Sequence, residues 1–315
     1  SDGSELISTG IRVGQKGEAS RTHLQTVHLD ALDRTVKVNR ETRRNKSDAM
    51  RQTLGVDENS QILPSTVQPA PGLTVVLPPE GEGDEQLNAI TGNRNTLVLL
   101  VEFPDRSGDV TINQSQIDDC FNSIPYTAFG NATSVRGYYR FQSNNALDLT
   151  SVVTAYFTAA NPRSHYTDDL AYGLGGRTLV QEGLDVLDAQ GFNFNQLDGD
   201  NDGQVDGVSC LYAGNVVNDW GEGLWPHSGG VTWTGFSAHG LDDRVSYQLS
   251  EIASDLSIGT FCHELGHAVA KLPDLYSYDG NAAEVGKFCL MGGGTWGGGG
   301  KHPTNIGAPL KNEAG

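Results

Sequence analysis

The stretch DLSIGTFCHELGHAVAKLPD, Asp255 to Asp274, decides the architecture of this chain. Apolar side chains recur in it at the spacing of one stripe along an α-helix. The stripe consists of Ile258, Phe261, Cys262, Leu265, Val269 and Leu272. Asp255 or Ser257 can cap the start of this helix, and Pro273 ends it because the residue before a proline leaves helical geometry. The pattern therefore predicts a helix that buries one face in a core.

Two histidines on this helix, His263 and His267, are separated by one turn, so their imidazoles leave the same side. Such a pair can bind one zinc ion, and zinc with three protein ligands keeps a fourth position for water. Glu264 is adjacent and can take a proton from that water. We therefore predict a zinc site with His263 and His267 as ligands and Glu264 as the general base. The alternative is two histidines in ordinary hydrogen bonds beside an incidental glutamate.

The third zinc ligand is not decided by this spacing. Long-motif zincins place it six residues after the second histidine, and that position here is Pro273, which cannot bind a metal. The next residue, Asp274, can bind, and it follows the helix-ending proline directly. Asp279 and Glu284 remain as alternatives, with Glu284 giving a gluzincin-like arrangement. We predict Asp274 as the third ligand.

The segment after the helix resembles the secreted zinc metallopeptidases of the immune inhibitor A type. Their motif, H-E-x-x-H-x-x-G-L-P-D-x-Y, ends like the present LPDLY, Leu272 to Tyr276. This chain departs from the motif by one inserted residue, because Ala270-Lys271 stands where that family has a single glycine. A helix longer by one residue turns about 100° further, so the loop after Pro273 has to redirect Asp274.

Two more segments are similar to this family. CLMGGGTWGGGGKHPTNIGA, Cys289 to Ala308, resembles its methionine turn, which implies that Met291 forms an apolar floor under the metal. Without the resemblance it is only a glycine-rich loop. LWPHSG, Leu224 to Gly229, resembles a Trp-Pro-His element and implies that His227 lies near the cleft.

The resemblance covers roughly residues 95–308. It implies an α+β fold, with a zincin-like catalytic domain built on a mixed, twisted β-sheet and an active-site helix that carries HExxH. Since the sequence after Gly307 departs from the usual continuation of the family, we expect the C-terminal end of the domain to be truncated.

An aspartate-rich segment, LDGDNDGQVDGVS, follows the residue count of a calcium-binding loop. Its candidate ligands are Asp198, Asp200, Asp202, the Gln204 carbonyl and Asp206. Ser209 occupies the position of the usual bidentate glutamate, so the loop is incomplete and the affinity should be low. We predict a structural calcium site here. The alternative is an Asp/Gly-rich turn held by its own side-chain hydrogen bonds.

The segments before the catalytic region differ from it in composition. Residues 1–60 are polar and propeptide-like, and residues 61–95 form a Pro/Gly-rich linker. A catalytic domain over residues 96–315 would complete the layout of a zymogen, whereas the alternative is an irregular extension of one domain. Within that domain we predict strands at Thr96–Phe103 and Val205–Gly214, and a strand or hairpin at Ala146–Thr158.

Charge and cysteine content limit the function further. The net charge is −18, with +3 up to Arg51 and −21 after it, so the acidic bulk argues against a nucleic-acid partner. No apolar run is long enough to suggest a membrane span. Four cysteines without a C-x-x-C pair argue against a cysteine zinc site. Cys262 and Cys289 could form a disulfide across the site, or both could be buried thiols.

The sequence therefore predicts a secreted, extracellular zinc endopeptidase that acts on protein or peptide substrates. The alternative is a calcium-dependent extracellular binding module whose protease site is degenerate because of the insertion at Lys271. The sequence does not indicate an oligomeric state.

Overall fold

The computed structural model describes residues 5–6, 12–13, 90–108, 112–167, 173–218, 223–276 and 285–314. The strands, in chain order, are β1 (Glu5–Leu6), β2 (Arg12–Val13), β3 (Gly92–Glu102), β4 (Leu147–Thr158), β5 (Val208–Ala213), β6 (His227–Thr232) and β7 (Arg244–Ile252). The α-helices are α1 (Gln114–Asn122), α2 (Val135–Gln142), α3 (Ser164–Thr167), α4 (Leu174–Ala189), α5 (Gly235–Ala238), α6 (Ile258–Ala268) and α7 (Ala308–Glu313).

One five-stranded sheet, in the order β4-β3-β5-β7-β6, organises the described body. Its neighbours pair in parallel, except that β6 runs antiparallel to β7 at the edge. β1 and β2 form a separate antiparallel pair. The mostly parallel sheet with helices between its strands is the mixed α+β architecture that the sequence predicted, and it fits a zincin-like domain.

The predicted strands differ from the observed ones mainly at their ends. Leu97–Val101 is buried on both faces of the sheet, as expected of a short apolar run, but β3 begins at Gly92 and so extends into the predicted linker. The segment Ala146–Thr158 forms one strand instead of a hairpin. Its alternating burial fits a strand with one face against the core.

Two apolar cores lie on opposite faces of this sheet. One contains side chains of α1, α2, α6 and α7. The other contains side chains of α4, together with Trp233 and Phe236. All six residues of the predicted apolar stripe are buried in the first core. Since burial of one such side chain contributes roughly 1.5–3 kcal/mol, the stripe holds α6 firmly against the sheet.

The ends of α6 differ from the sequence prediction. The side chain of Ser257 makes no cap hydrogen bond, and Asp255 instead pairs with Lys301. The N–H of Ile258 donates to Asn131 Oδ1 at 3.1 Å, so a residue far away in the sequence satisfies the helix start. The helix ends at Ala268, four residues before Leu272.

Of the two possibilities for Cys262 and Cys289, the disulfide is not formed. All four cysteines are free and buried. Cys289 Sγ accepts a hydrogen bond from the N–H of Gly307 at 3.2 Å, and both thiols lie in the same apolar core. They behave there as small apolar side chains, which was the alternative interpretation.

The predicted propeptide-like segment and most of the predicted linker lie outside the described residues, so that division of the chain stays a prediction. Among the helices that the structure describes, none is both long and apolar enough to cross a membrane.

Candidate metal centre

The two histidines of α6 are each held through their Nδ1 atom. His263 Nδ1 lies 3.0 Å from the carbonyl oxygen of Leu290, and His267 Nδ1 is hydrogen-bonded to the carbonyl of Leu272. Because a carbonyl can only accept, both Nδ1 atoms carry the proton in the neutral rings. Both Nε2 atoms therefore present a lone pair, which is the form that binds a metal.

Asp274 lies close to both histidines. Its Oδ1 lies 3.0 Å from His263 Nε2 and 3.2 Å from His267 Nε2, and the two Nε2 atoms are 3.2 Å apart. Ligand atoms about 2.0–2.1 Å from a tetrahedral zinc ion are separated by about 3.3 Å. Two imidazoles and a carboxylate at these separations fit zinc, and they leave its fourth position for water or substrate.

Three acceptor atoms converge in this triangle. Two nitrogen lone pairs and a carboxylate oxygen repel one another at 3.0–3.2 Å unless a proton or a cation lies among them. Burial, the largest single effect, lowers the pKa of His263 and of His267, but the hydrogen bond to Asp274 and the negative charges of Asp274 and Glu264 together raise both pKa values above the ordinary one. The site thus favours positive charge, as a divalent-cation site should.

The inserted residue does not rotate Asp274 away from the histidines. Since α6 ends at Ala268, the extra residue lies in the loop after the helix and does not lengthen it. Lys271 takes a left-handed conformation with φ of 55°, at the position where the family motif has glycine. Its Nζ donates to Ser246 Oγ at 2.6 Å and to the Ala268 carbonyl at 2.7 Å, which ties the loop to β7.

Glu264 lies beside the triangle and is buried, with 8% of its surface exposed. Burial raises its pKa to about 7, with Asp274 and Glu251 adding to the rise, while the two histidines oppose it. A carboxyl group with a pKa near neutral can both take and release a proton during a reaction. This position and pKa suit a general base.

Met291 lies under α6. A Cβ atom on Gly266 would be only 2.9 Å from Met291 Sδ, so the absence of a side chain at Gly266 lets the methionine pack against the helix. The carbonyl of Met291 accepts from the N–H of Leu275 at 2.6 Å, next to Asp274. This contact connects the glycine-rich loop to the segment that carries the third candidate ligand.

The alternative ligands Asp279 and Glu284 lie outside the described residues. Asp274 completes the triangle without them.

The predicted calcium loop comes together only in part. Carboxylate oxygens of Asp198, Asp200 and Asp202 lie within 4.8 Å of one another. Asp198 accepts from the N–H groups of Asp202 and Gly203, and Asp202 accepts from the backbone and side-chain N–H groups of Gln204. These are the hydrogen bonds of an Asp/Gly-rich turn.

Asp206 is not one of the three clustered carboxylates. It accepts from the N–H groups of Asn95 and Gly199, at 2.6 and 2.8 Å. The guanidinium of Arg94 lies 2.7 Å from Asp200 and 3.3 Å from Asp206, so a side-chain cation already balances these carboxylates. The predicted calcium site is therefore not supported, and the turn interpretation fits the contacts better.

His227 lies on the opposite side of the sheet from α6. Its ring stacks on Trp225, and Nε2 is 3.0 Å from Tyr247 Oη. A Cβ atom on Gly176 of α4 would be 3.1 Å from the ring, so His227 packs against α4 in the second core. The expectation that His227 lies near the cleft is not met, because its side chain faces α4 and the second core, on the side of β6 away from α6.

The burial of His227 predicts a pH dependence of stability. Burial lowers its pKa from 6.5 to about 4. Between these values the unfolded chain binds a proton that the folded chain does not, so stability is full above pH 6.5 and falls as the pH drops towards 4. With about 1.4 kcal/mol per unit of pKa, this loss is about 3 kcal/mol.

We expect His227→Gln to lose less stability than the wild type between pH 7 and pH 4. Denaturant unfolding at both pH values, with a chelator present for both proteins, measures the difference. Unfolding free energies that fall in parallel would show that His227 does not titrate in this way.

Several residues around the triangle were not identified from the sequence. They include the carbonyls of Leu272 and Leu290 and the hydroxyl of Thr295, which lies 3.0 Å from His263 Nδ1. The ring of Tyr276 is nearly parallel to that of His263, with centroids 6.3 Å apart. In the sequence, Tyr276 stands out only as the last residue of LPDLY.

A helix with two histidines and a glutamate, packed under a mostly parallel sheet with an antiparallel edge strand, fits a peptidase of the zincin-like class. Residues 224–313 match the family model described as immune inhibitor A peptidase M6, catalytic domain. This match confirms, for that part of the chain, the resemblance to immune inhibitor A metallopeptidases.

The crystal structure of wild-type OgpA from Akkermansia muciniphila is 16% identical, with a TM-score of 0.39, and the match covers 71% of this chain and 59% of that one. No curated protein matches the chain at a significant level.

Proposed function

We propose that this protein is a secreted zinc endopeptidase, with His263, His267 and Asp274 as the zinc ligands and Glu264 as the general base. The observation that carries the proposal is the triangle of two Nε2 atoms and one carboxylate oxygen, with separations of 3.0–3.2 Å. The family match supports a metallopeptidase, and peptidases of this family are extracellular.

The two histidines and Asp274 would hold the metal, and the carbonyls of Leu272 and Leu290 would keep both rings in the binding tautomer. When bound, zinc supplies a Lewis acid that polarises the scissile carbonyl and lowers the pKa of water. Glu264 takes the proton from the attacking water and holds it in its buried position. It then delivers that proton to the leaving nitrogen of the cleaved peptide bond.

The edge strand β6 provides a place for the substrate backbone. β6 pairs with β7 on one side, and among the described strands none pairs with its other side. α6 packs against both of these strands. An extended peptide can add to such an edge through main-chain hydrogen bonds, which would place its scissile bond beside α6. Protein and peptide chains are therefore the substrates that we propose.

The alternative, a calcium-dependent binding module with a degenerate protease site, is not favoured. It required the insertion at Lys271 to misdirect the third ligand and the aspartate loop to bind calcium. The first is opposed by the position of Asp274 beside both histidines, and the second by the pairing of Arg94 with Asp200 and Asp206.

Cleavage of blocked peptides tests the proposal. We expect the purified chain to cut internal bonds of peptides blocked at both ends, with product masses identified by mass spectrometry. A chelator should stop the reaction, and added zinc should restore it. A protein that binds one zinc ion per chain but cleaves neither blocked peptides nor unfolded proteins would contradict the peptidase assignment while leaving the metal centre in place.

A further inference from the structure

The glycine-rich segment 292–300 packs against the first turn of α6 through Gly259. The N–H of Gly259 donates to the carbonyl of Gly300 at 2.7 Å. A Cβ atom at Gly259 would lie 2.2 Å from the carbonyl oxygen of Thr295, which is closer than atoms can approach. Gly259 is therefore needed for this segment to reach the helix, and the contact fixes the position of Thr295.

Thr295 is buried, with 5% of its surface exposed, and its hydroxyl faces His263. The hydroxyl donates to the carbonyl of Leu290 at 2.8 Å and lies 3.0 Å from His263 Nδ1. Because its own proton goes to Leu290, the hydroxyl offers a lone pair to the Nδ1–H of the histidine. That N–H thus has two acceptors, Thr295 Oγ1 and the Leu290 carbonyl, both at 3.0 Å.

Two acceptors fix the tautomer and the orientation of the imidazole ring more firmly than one acceptor would. With both in place, His263 keeps its proton on Nδ1, and rotation of the ring would break one or both contacts. Its Nε2 atom is thereby held 3.0 Å from Asp274 Oδ1 and 3.2 Å from His267 Nε2, the other two corners of the triangle. Partners of this kind, behind a metal-binding histidine, set its tautomer and raise its basicity.

We propose that Thr295 is a positioning residue of the metal centre, whose hydroxyl fixes the tautomer and direction of His263. This inference rests on the metal site proposed above. It also gives the glycine-rich segment a specific role, since Gly259 and the glycines around Thr295 allow the backbone approach that brings the hydroxyl to the ring.

If Thr295 had only a structural role, its replacement would have a different effect. In that case the hydroxyl of Thr295 would serve only to satisfy the Leu290 carbonyl, and its loss would lower stability without changing metal affinity. Thr304, four residues after the glycine-rich segment and in contact with it, offers a matched control. Its Oγ1 is buried and has no hydrogen-bond partner among the described residues, and its side chain packs on Gly294.

The test compares Thr295→Val, Thr295→Ser and Thr304→Val by zinc competition with a chromogenic chelator. Removal of an outer-shell partner typically weakens metal binding 10–100-fold, and we expect roughly this loss for Thr295→Val. Thr295→Ser retains the hydroxyl and should bind zinc nearly as tightly as the wild type. Thr304→Val should bind zinc like the wild type.

Two results would overturn the inference. One is a Thr295→Val protein that binds zinc as tightly as the wild type, once its unfolding temperature without metal has shown that it is folded. The other is a Thr304→Val protein that loses as much affinity as Thr295→Val, because the packing of the segment would then be responsible. A wild type that binds zinc but cleaves no peptide would refute only the peptidase function, since this test measures metal binding alone.

Discussion

Glu264→Gln should slow peptide cleavage by at least about 100-fold while the protein keeps one zinc ion per chain. The substitution keeps the shape of the side chain but removes the group that takes the proton from water. General acid–base groups contribute about 10²–10⁴-fold to rate, so we expect a loss of this size in kcat with little change in KM. Cleavage of a blocked peptide and zinc content measured on the same sample check both parts.

Glu182→Gln is the matched control for this prediction. Glu182 lies on α4, on the opposite face of the sheet, and accepts a hydrogen bond from Tyr166 Oη at 2.8 Å, which a glutamine oxygen can also accept. This variant should cleave the peptide at a rate close to that of the wild type. If Glu264→Gln did the same with zinc bound, another group would have to be the base.

The features that could be predicted from the sequence are local ones. The apolar stripe from Ile258 to Leu272 depends only on residues one or two turns apart, so it was enough to place a helix and its buried face. The run Leu97–Val101 predicted a buried strand for the same reason. His263 and His267 share one side of α6 because of helix geometry alone.

The features that could not be predicted depend on distant residues. Nothing near Ile258 in the sequence indicates that Asn131 satisfies the start of α6. The early end of the helix depends on Lys271, a non-glycine residue in a left-handed conformation that is stabilised by its contact with Ser246 on β7. The apolar spacing continues to Leu272, so the sequence pattern alone predicts a helix up to the proline.

The predicted calcium site in the aspartate loop also depends on a residue that is distant in the sequence. The spacing of Asp198, Asp200 and Asp202 was enough to predict that their carboxylates gather. Whether a cation or hydrogen bonds balance them is decided by Arg94, about a hundred residues earlier in the chain, which reaches Asp200 and Asp206. The spacing of a calcium-binding motif identifies candidate ligands, but it does not show that a distant arginine pairs with them in place of the metal.

Asp274→Ala should remove zinc from the protein. Asp274 Oδ1 is one of only three protein atoms in the triangle, and the two imidazoles that remain would hold a metal far more weakly. Loss of an outer-shell partner already costs 10–100-fold in affinity, so loss of a direct ligand should cost more than about 100-fold. Zinc content after extensive dialysis should fall from one ion per chain to nearly none, and peptide cleavage should disappear with it.

Asp202→Ala is the matched control, because Asp202 is an exposed carboxylate whose hydrogen bonds go to Gln204 within its own turn. It should keep its zinc and its activity. The comparison separates the loss of one specific ligand from a general effect of removing negative charge from an acidic protein. If Asp274→Ala retained one tightly bound zinc ion, the insertion before Leu272 would have shifted the role of third ligand to another acid, and the carboxylate that faces both imidazoles would only balance their charge.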